Sequence, residues 1–496
     1  MYKLVFYQFR VIFGYLKHLA KLNKLAALVE PKSLVERAKL YALSNHRSSL
    51  DLMDVKYGED DEGEKIDYVR IENITRLLGE EVGGNVEVLQ EILPELLCNE
   101  GGRLISFGEG LAVGFADREG LWRTLIEQLS HLDENIRSVQ LLRGVLRGIS
   151  KIDINLVEQC LDMVVANEVL APIYPWLQAS VNISSRGLER LKQSLSLGLI
   201  PIWQYENLAY GGTHKSISDN DLCELLKLIS SQPGGVNVAI KILDMRLHGK
   251  DKESMTSDII VLTGQYLALQ YDFLRNDIRK DLMDYELANI ISVCFVGYNA
   301  VENAKTLSNK IFNAIESYKV SLSDYNDVLK VLAITHPLTF INSLLGEKDF
   351  TKRIRLAFSE EMDLLSGIGE DIIITWCEED SKVRYPAVAL VIRPYRRRES
   401  NGSLEWTPLA LKILVKADNP IEILEQFKAS FIPMSWSGSL ADIMQQRLGL
   451  ISYLKRHDDV SIVKWAKKEE DRIEQEIRSR RDWELKMGSR INETFE

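Results

Sequence analysis

The chain has 496 residues, with 61 Lys and Arg against 72 Asp and Glu and a net charge of −11. Apolar residues make up 46% and charged residues 27%, enough buried apolar surface to offset chain entropy, which excludes disorder as the main state. The acidic balance excludes a broadly nucleic-acid-binding surface and leaves room for a local basic patch.

At roughly 150 residues per domain the length predicts about three domains, unless the chain is one long repeat array. The first stretch, Leu4 to Leu16, is apolar but interrupted by Gln8 and Arg10. It is too short and too broken to span a bilayer, and it lacks the basic n-region and small-residue cleavage site of a secretory signal. It reads as a buried helix. Tyr57 to Asp67 (YGEDDEGEKID) reads as an acidic loop, and Leu104 to Phe115 (LISFGEGLAVGF) as a short hairpin or a tight helix-packing site.

From Ile136 onward a 3.6-residue period dominates the chain. Ile136, Val139, Leu142, Leu146 and Ile149 trace one apolar stripe. Val157, Cys160, Leu161, Val164 and Val165 stand at offsets 0, 3, 4, 7 and 8 and trace a second, with Asp153 as its N-cap. Residues 219–231 carry Leu222, Leu225, Leu226 and Ile229, and the link Gln232-Pro233-Gly234-Gly235 stops that helix. Val238, Ile242, Leu243 and Met245 begin the next. Residues 258–276 form a longer helix whose stripe runs through Ile259, Leu262, Tyr266, Leu269 and Phe273. The pattern restarts at Asp281. Ser321 and Asp324 cap a helix through Val328 and Leu332, which His336-Pro337 ends. Tyr385 to Ile392 reads as a possible strand, although Pro386 and Pro394 argue against it. From about Asp458 the charge alternates in sign around sparse apolar residues, Ile473, Ile477, Trp483 and Met487, the pattern of a long, largely solvated helix.

Successive helix pairs recur at ~35–50 residues without a fixed signature. The predicted fold is therefore all-α: an α-solenoid of degenerate helix-turn-helix repeats of TPR or HEAT type with a long charged C-terminal helix. Its expected divisions are an N-terminal helical segment over 1–115, repeats over 116–375, and a C-terminal helical region with a charged tail over 376–496.

The five cysteines, Cys98, Cys160, Cys223, Cys294 and Cys377, are dispersed and form no C-x-x-C pair. They fit a reducing compartment, with each thiol a small core residue. No span, signal or disulfide framework is predicted, so the expected location is the cytoplasm.

Motifs that carry chemistry are sparse. Gly211-Gly-Thr-His-Lys-Ser216 lacks the glycine spacing that cradles phosphate and reads as a turn before a capped helix. Gly108-x-Gly110-x-x-x-Gly114 has the wrong last step for a dinucleotide loop and no βαβ surroundings, so it reads as close helix packing. There is no H-E-x-x-H, and the seven histidines do not cluster. No metal or cofactor is therefore expected. Ser435-Trp436-Ser437-Gly438-Ser439 reads as a helix N-terminus capped by Ser437 or Ser439, after a helix ended by Pro433 and with Trp436 packed at the junction, rather than as a nucleophile elbow. The acidic pairs Glu59/Asp60 and Glu378/Glu379 lie in solvated charge runs. Arg393, Arg396, Arg397 and Arg398, with Tyr395 between, form the clearest basic cluster, suited to phosphate or to an acidic protein surface.

Four groups of strings resemble the C-terminal helical-repeat sensor region of bacterial antiviral STAND-type ATPases. They are Leu188-Glu-Arg-Leu191 running to Leu208-Ala-Tyr-Gly211, and Pro233-Gly-Gly-Val236 leading to Ile242-Leu-Asp-Met-Arg246. The others are Trp406-Thr-Pro-Leu-Ala410 with Pro433 to Ser439, and the tail ending Phe495-Glu496. A weaker likeness lies at Leu34-Val-Glu-Arg37. The resemblance implies a sensor whose curved face holds a phage protein such as a packaging motor or portal subunit, and in that family ATPase and effector modules precede the solenoid; this chain reads as an excised fragment, a standalone relative or one whose partner modules are separate chains.

The expected function is non-catalytic protein recognition, with no broad nucleic-acid surface and no membrane. Trp203, Tyr205, Tyr210, Arg393, Tyr395 and Arg396 are the candidate ligand contacts, on the ground that aromatic and Arg anchors dominate large interfaces. Two other readings remain open: a nuclease or hydrolase using scattered carboxylates, and a structural scaffold of a bacterial complex.

Overall fold

The structure, a computed structural model, describes residues 31–43, 63–101, 103–248, 256–274, 280–346, 364–398, 400, 402–433 and 436–495. The expected helix at Leu4 to Leu16, the pair Glu59/Asp60 and most of the acidic segment lie outside them. Within them the fold is all-α. The strands among the described residues are Tyr395–Arg397 (β1) and Leu404–Trp406 (β2). The chain divides into two compact units, Met1–Val238 and Ala239–Glu496. This division coincides with neither boundary expected near residues 115 and 375.

The first unit holds α1 (Leu34–Leu43), α2 (Gly63–Gly83), α3 (Val86–Leu97), α4 (Arg103–Gly114), α5 (Arg118–His131), α6 (Gln140–Ser150), α7 (Ile154–Val165), α8 (Tyr174–Gln178), α9 (Ser185–Leu197) and α10 (Asp219–Ser230). Its densest packing is α4 held between α2 and α6. The cause is glycine on opposite faces of one helix. Gly108 and Gly110 stand two residues apart, ~200° around the axis. A Cβ on Gly110 would lie 1.7 Å from Arg76 O of α2, and one on Gly108 would lie 2.5 Å from Leu141 O of α6. Gly114 and Gly144 meet their neighbours in the same way, at 2.0 Å from Glu80 O and 2.2 Å from Ile105 O. The helices touch backbone to backbone, so the Leu104–Phe115 stretch is a tight packing site and not a hairpin.

The division between the units falls within α11 (Gly235–Leu247). The second unit continues with α12 (Asp258–Gln270), α13 (Lys280–Cys294), α14 (Ala300–Glu316), α15 (Asn326–Thr335), α16 (Pro337–Leu345), α17 (Glu370–Glu378), α18 (Ser381–Ala389), the β1–β2 hairpin, α19 (Pro408–Lys416), α20 (Pro420–Phe427), α21 (Leu440–Leu454) and α22 (Val460–Phe495). A helix commonly packs on the one two places further along. α2 packs on α4, α4 on α6, α5 on α7 and α7 on α9 in the first unit; α12 packs on α14, α13 on α15 and α14 on α16 in the second.

Several expected caps are present. Asp153 accepts from Asn155 N and Leu156 N, and Ser439 accepts from Asp442 N. Ser321 and Asp324 form a reciprocal capping box on a short 3₁₀ turn ahead of α15. Four expectations need correction. Residues 381–389 are helical rather than extended, and Tyr385, Val388 and Ala389, at offsets 0, 3 and 4, are buried on one helical face. In α12 the stripe through Leu262 and Tyr266 faces outward. The core face is Ile260, Gly264, Leu267 and Ala268, because Gly264 admits Cys294, whose Sγ would lie 2.4 Å from a Cβ there. Trp436 is half exposed rather than packed at a junction. Four cysteines are buried as expected, but Cys98 is exposed at the C-terminus of α3.

The polar groups of the second unit bind helix to helix. Asp284 of α13 accepts from Asp327 N and Val328 N, both at 2.9 Å, and so caps α15 from another helix. Lys310 of α14 donates to Leu269 O and Tyr271 O at the end of α12. Gln265 donates to Cys294 O and Val296 O at the end of α13. Buried side chains thus supply the partners that helix ends lack.

Candidate functional site

The sequence-derived contacts fall in two places. In the first unit, α9 ends at Gly198, whose φ of +64° closes the helix in the left-handed region. A 3₁₀ segment, Ile202–Ala209, follows. Trp203 on this segment is 59% exposed and Tyr210, just after it, is 50% exposed. The neighbouring Leu197 and Leu199 are also exposed. Tyr205 is different. Its ring is fully buried, with its hydroxyl 2.7 Å from Ser194 Oγ, and burial pushes that hydroxyl up to about 12. It packs the segment onto α9 and offers no surface. Gly211 and Gly212, both with positive φ, turn the chain. Ser216 then accepts from Ile183 N at 2.9 Å, so the Gly211–Ser216 string is the structural turn expected of it.

A buried charge network lies one turn before Ser194 on the same face of α9, at Arg190. Arg190 donates to Glu158 Oε2 and O at 2.6 and 3.1 Å, to Asp162 Oδ1 at 2.7 Å, to Gln178 Oε1 at 3.3 Å and to Tyr174 Oη at 3.3 Å. The guanidinium thus joins α7, α8 and α9. Ion pairs and hydrogen bonds of this density offset the cost of burying the charge. The network spends Glu158 and Asp162 on the Arg190 guanidinium.

In the second unit the arginine cluster forms the β1–β2 hairpin, with Tyr395 opposite Trp406, Arg396 opposite Glu405 and Arg397 opposite Leu404. Alternation along the strands gives the hairpin two faces. One is anchored. Trp406 donates its indole N–H to Leu450 O at 2.8 Å and Tyr395 its hydroxyl to Ser430 O at 2.8 Å. Tyr395 also stacks on Phe431 and lies under the Arg447 guanidinium. The other face presents Arg396 and Arg398, whose Nε groups donate to Glu405 Oε1 at 3.0 Å and Oε2 at 2.5 Å. Those hydrogen bonds, the one from Arg398 first, hold the Glu405 carboxyl below its usual value. Arg393 is exposed. The structure thus presents Arg393 and Arg396 outward and spends the Tyr395 ring on anchoring. The hairpin itself was missed in the sequence, although a short Gly-containing polar run between two β-type segments is a signal for a hairpin with a longer loop, here residues 399–402.

Buried carboxylates elsewhere have structural partners. Asp244 accepts from Asn289 at 3.0 Å and Asp284 caps α15. Burial holds both above the ordinary carboxylate value. Burial likewise pushes the Cys160 and Cys377 thiols up to about 12, away from the range of a nucleophilic thiolate. Among the described residues no group of three or more His, Cys, Asp or Glu side chains could hold a metal ion, and no helix is long and apolar enough to cross a membrane. A shallow cleft between α18 and the start of α20, lined by Ser381, Asp418 and Asn419 among others, contains none of the expected contacts. Comparison with protein-family models, with curated proteins and with solved structures finds no match to this chain.

Proposed function

We propose that this chain is a non-catalytic protein-recognition solenoid that senses a phage protein, a packaging-motor or portal subunit, in bacterial antiviral defence. The observation that carries recognition is large apolar side chains left outside a well-filled core. Trp203, Tyr210, Leu262, Tyr266 and Tyr298 are all exposed, while the helices beneath them bury continuous apolar faces. Exposed apolar side chains grouped along one segment, as Leu197, Leu199, Trp203 and Tyr210 are, are the kind that interaction surfaces use, whereas singly scattered ones are ordinary. The packing of helices two places apart supports stacked hairpins, an architecture that aligns many side chains on one stiff frame. The antiviral part rests on the resemblance of the strings at 188–211, 233–246, 406–439 and the tail to STAND-type sensor regions. ATPase and effector modules, joined to this region or on separate chains, would then convert capture into a response.

The test is affinity purification of the tagged full-length chain from cells infected with several phages, with mass spectrometry of what is retained. A viral packaging or portal protein should co-purify, and Trp203→Ala with Tyr210→Ala should reduce its recovery. Retention of the same host subunit from infected and uninfected cells, with no viral protein in either, would replace the sensor reading with that of a host scaffold.

A further inference from the structure

The hairpin carries a more specific statement about the partner, and it rests on the protein-recognition reading. Between Arg393 and Trp406 there are four arginines against two carboxylates, Glu399 and Glu405, an excess of two positive charges (4 − 2) in a chain whose net charge is −11. The anchored face fixes this excess in place, because Trp406, Tyr395 and Arg447 are hydrogen-bonded to the carbonyls of Leu450 and Ser430. Arg396 lies on β1 and Arg398 one residue past its end, where Arg398 N still donates to Ser403 O at 2.8 Å, so the two stand on a single face with backbone positions ~6.8 Å apart. An extended peptide places every second side chain at the same interval. Glu405 engages both guanidiniums through Nε. Among the described residues no Nη group of Arg396 or Arg398 is hydrogen-bonded.

We propose that the outer face of the hairpin docks an extended acidic segment of a partner protein, with carboxylates at alternate positions on Arg396 and Arg398, and that Glu405 is the built-in competitor such a segment displaces. Nucleic acid fits the same charge less well. The one aromatic ring in the cluster, Tyr395, is already covered by Phe431 and Arg447 and cannot stack on a base. Strands of three residues span ~10 Å, the reach of a short extended peptide rather than of a duplex tract.

The probe is a fluorescein-labelled ten-residue peptide of alternating Glu and Thr, titrated with the full-length chain at low salt and followed by anisotropy. A peptide of the same composition with its glutamates in one block, and a short DNA duplex of equal charge, serve as comparisons. The alternating peptide should bind most tightly. Glu405→Gln should tighten it by about three- to tenfold by removing the competing carboxylate, and Arg396→Ala with Arg398→Ala should abolish the signal. Circular dichroism and thermal melting check that each variant is folded. The proposal is overturned if neither the native chain nor Glu405→Gln binds, if Glu405→Gln fails to tighten binding, if the block peptide binds equally well, or if the duplex binds with the same dependence on the two arginines. Purification from infected cells separates this failure from that of the wider reading. A viral protein retained by the Arg396/Arg398 double variant leaves sensing intact and removes the hairpin. Peptide binding with no viral partner does the reverse.

Discussion

A single methyl group separates two glycines of this chain. At Gly110 a Cβ would sit 1.7 Å from Arg76 O, a helix carbonyl that cannot rotate away, whereas at Gly449 nothing lies within 4 Å. Both residues are inside helices, so alanine gains about 0.5–1 kcal/mol of helix preference at either. At Gly449 that gain stands alone, and Gly449→Ala should raise stability by about that amount. At Gly110 it is outweighed by overpacking, for which about 1–3 kcal/mol is usual and more is expected where backbone meets backbone. Gly110→Ala should therefore lower stability by at least about 2 kcal/mol. Urea denaturation of the two variants checks this, and equal shifts would mean that α2 and α4 are not in close contact. The glycine spacing at 108, 110 and 114 made close packing legible in the sequence. The partners did not show, because a carbonyl on another helix leaves no trace in residue type.

At the scale of elements, the long C-terminal helix α22 is tied down by carboxylates. Glu484 on α22 accepts from Ser439 Oγ at 2.7 Å and Ala441 N at 3.2 Å, closing the N-terminus of α21. Glu470 of α22 accepts from Lys455 Nζ and Ser452 Oγ, and Glu425 of α20 accepts from the indole of Trp465. These hydrogen bonds, from Ser439, Lys455 and Trp465 respectively, hold all three carboxyls below the ordinary value of 4.5. Each therefore binds its proton less tightly when folded than when unfolded. The stabilisation is present above 4.5 and is lost as pH falls through the lowered folded values. Hydrogen exchange in α22 should accelerate below pH 4.5 relative to α12; unchanged relative protection would mean the carboxylates do not hold the helix. The charge alternation after Asp458 made a long helix legible, and Ile473 and Ile477 are its buried stripe, but Trp483 and Met487 stay outside. Where one face is polar, period alone assigns the inside. In α12 both faces are apolar, and the buried one is the face that carries the small residues Gly264 and Ala268 beside Ile260 and Leu267. Tyr385 to Ile392 reads as a possible strand, with Pro386 and Pro394 against it, and the chain is helical through Ala389.

For the whole molecule, contact between helices two places apart recurs in both units. Each helix that packs this way needs apolar residues both for its neighbour and for the helix two places along. Candidate contacts follow the same logic. Trp203 and Tyr210 could be picked out as large aromatics beside helix ends, whereas Tyr205, two residues from Trp203, could not be separated from them without knowing that Ser194 waits beneath it. The cysteines turn this inside–outside division into a clock. Of the five thiols, Cys98 alone is exposed, and Cys160, Cys223, Cys294 and Cys377 are buried across both units. A maleimide should attach once to the native chain, at Cys98. Further adducts should appear only as denaturant opens the surrounding helices, and peptide mapping of their order would time the loosening of each unit without any engineered reporter.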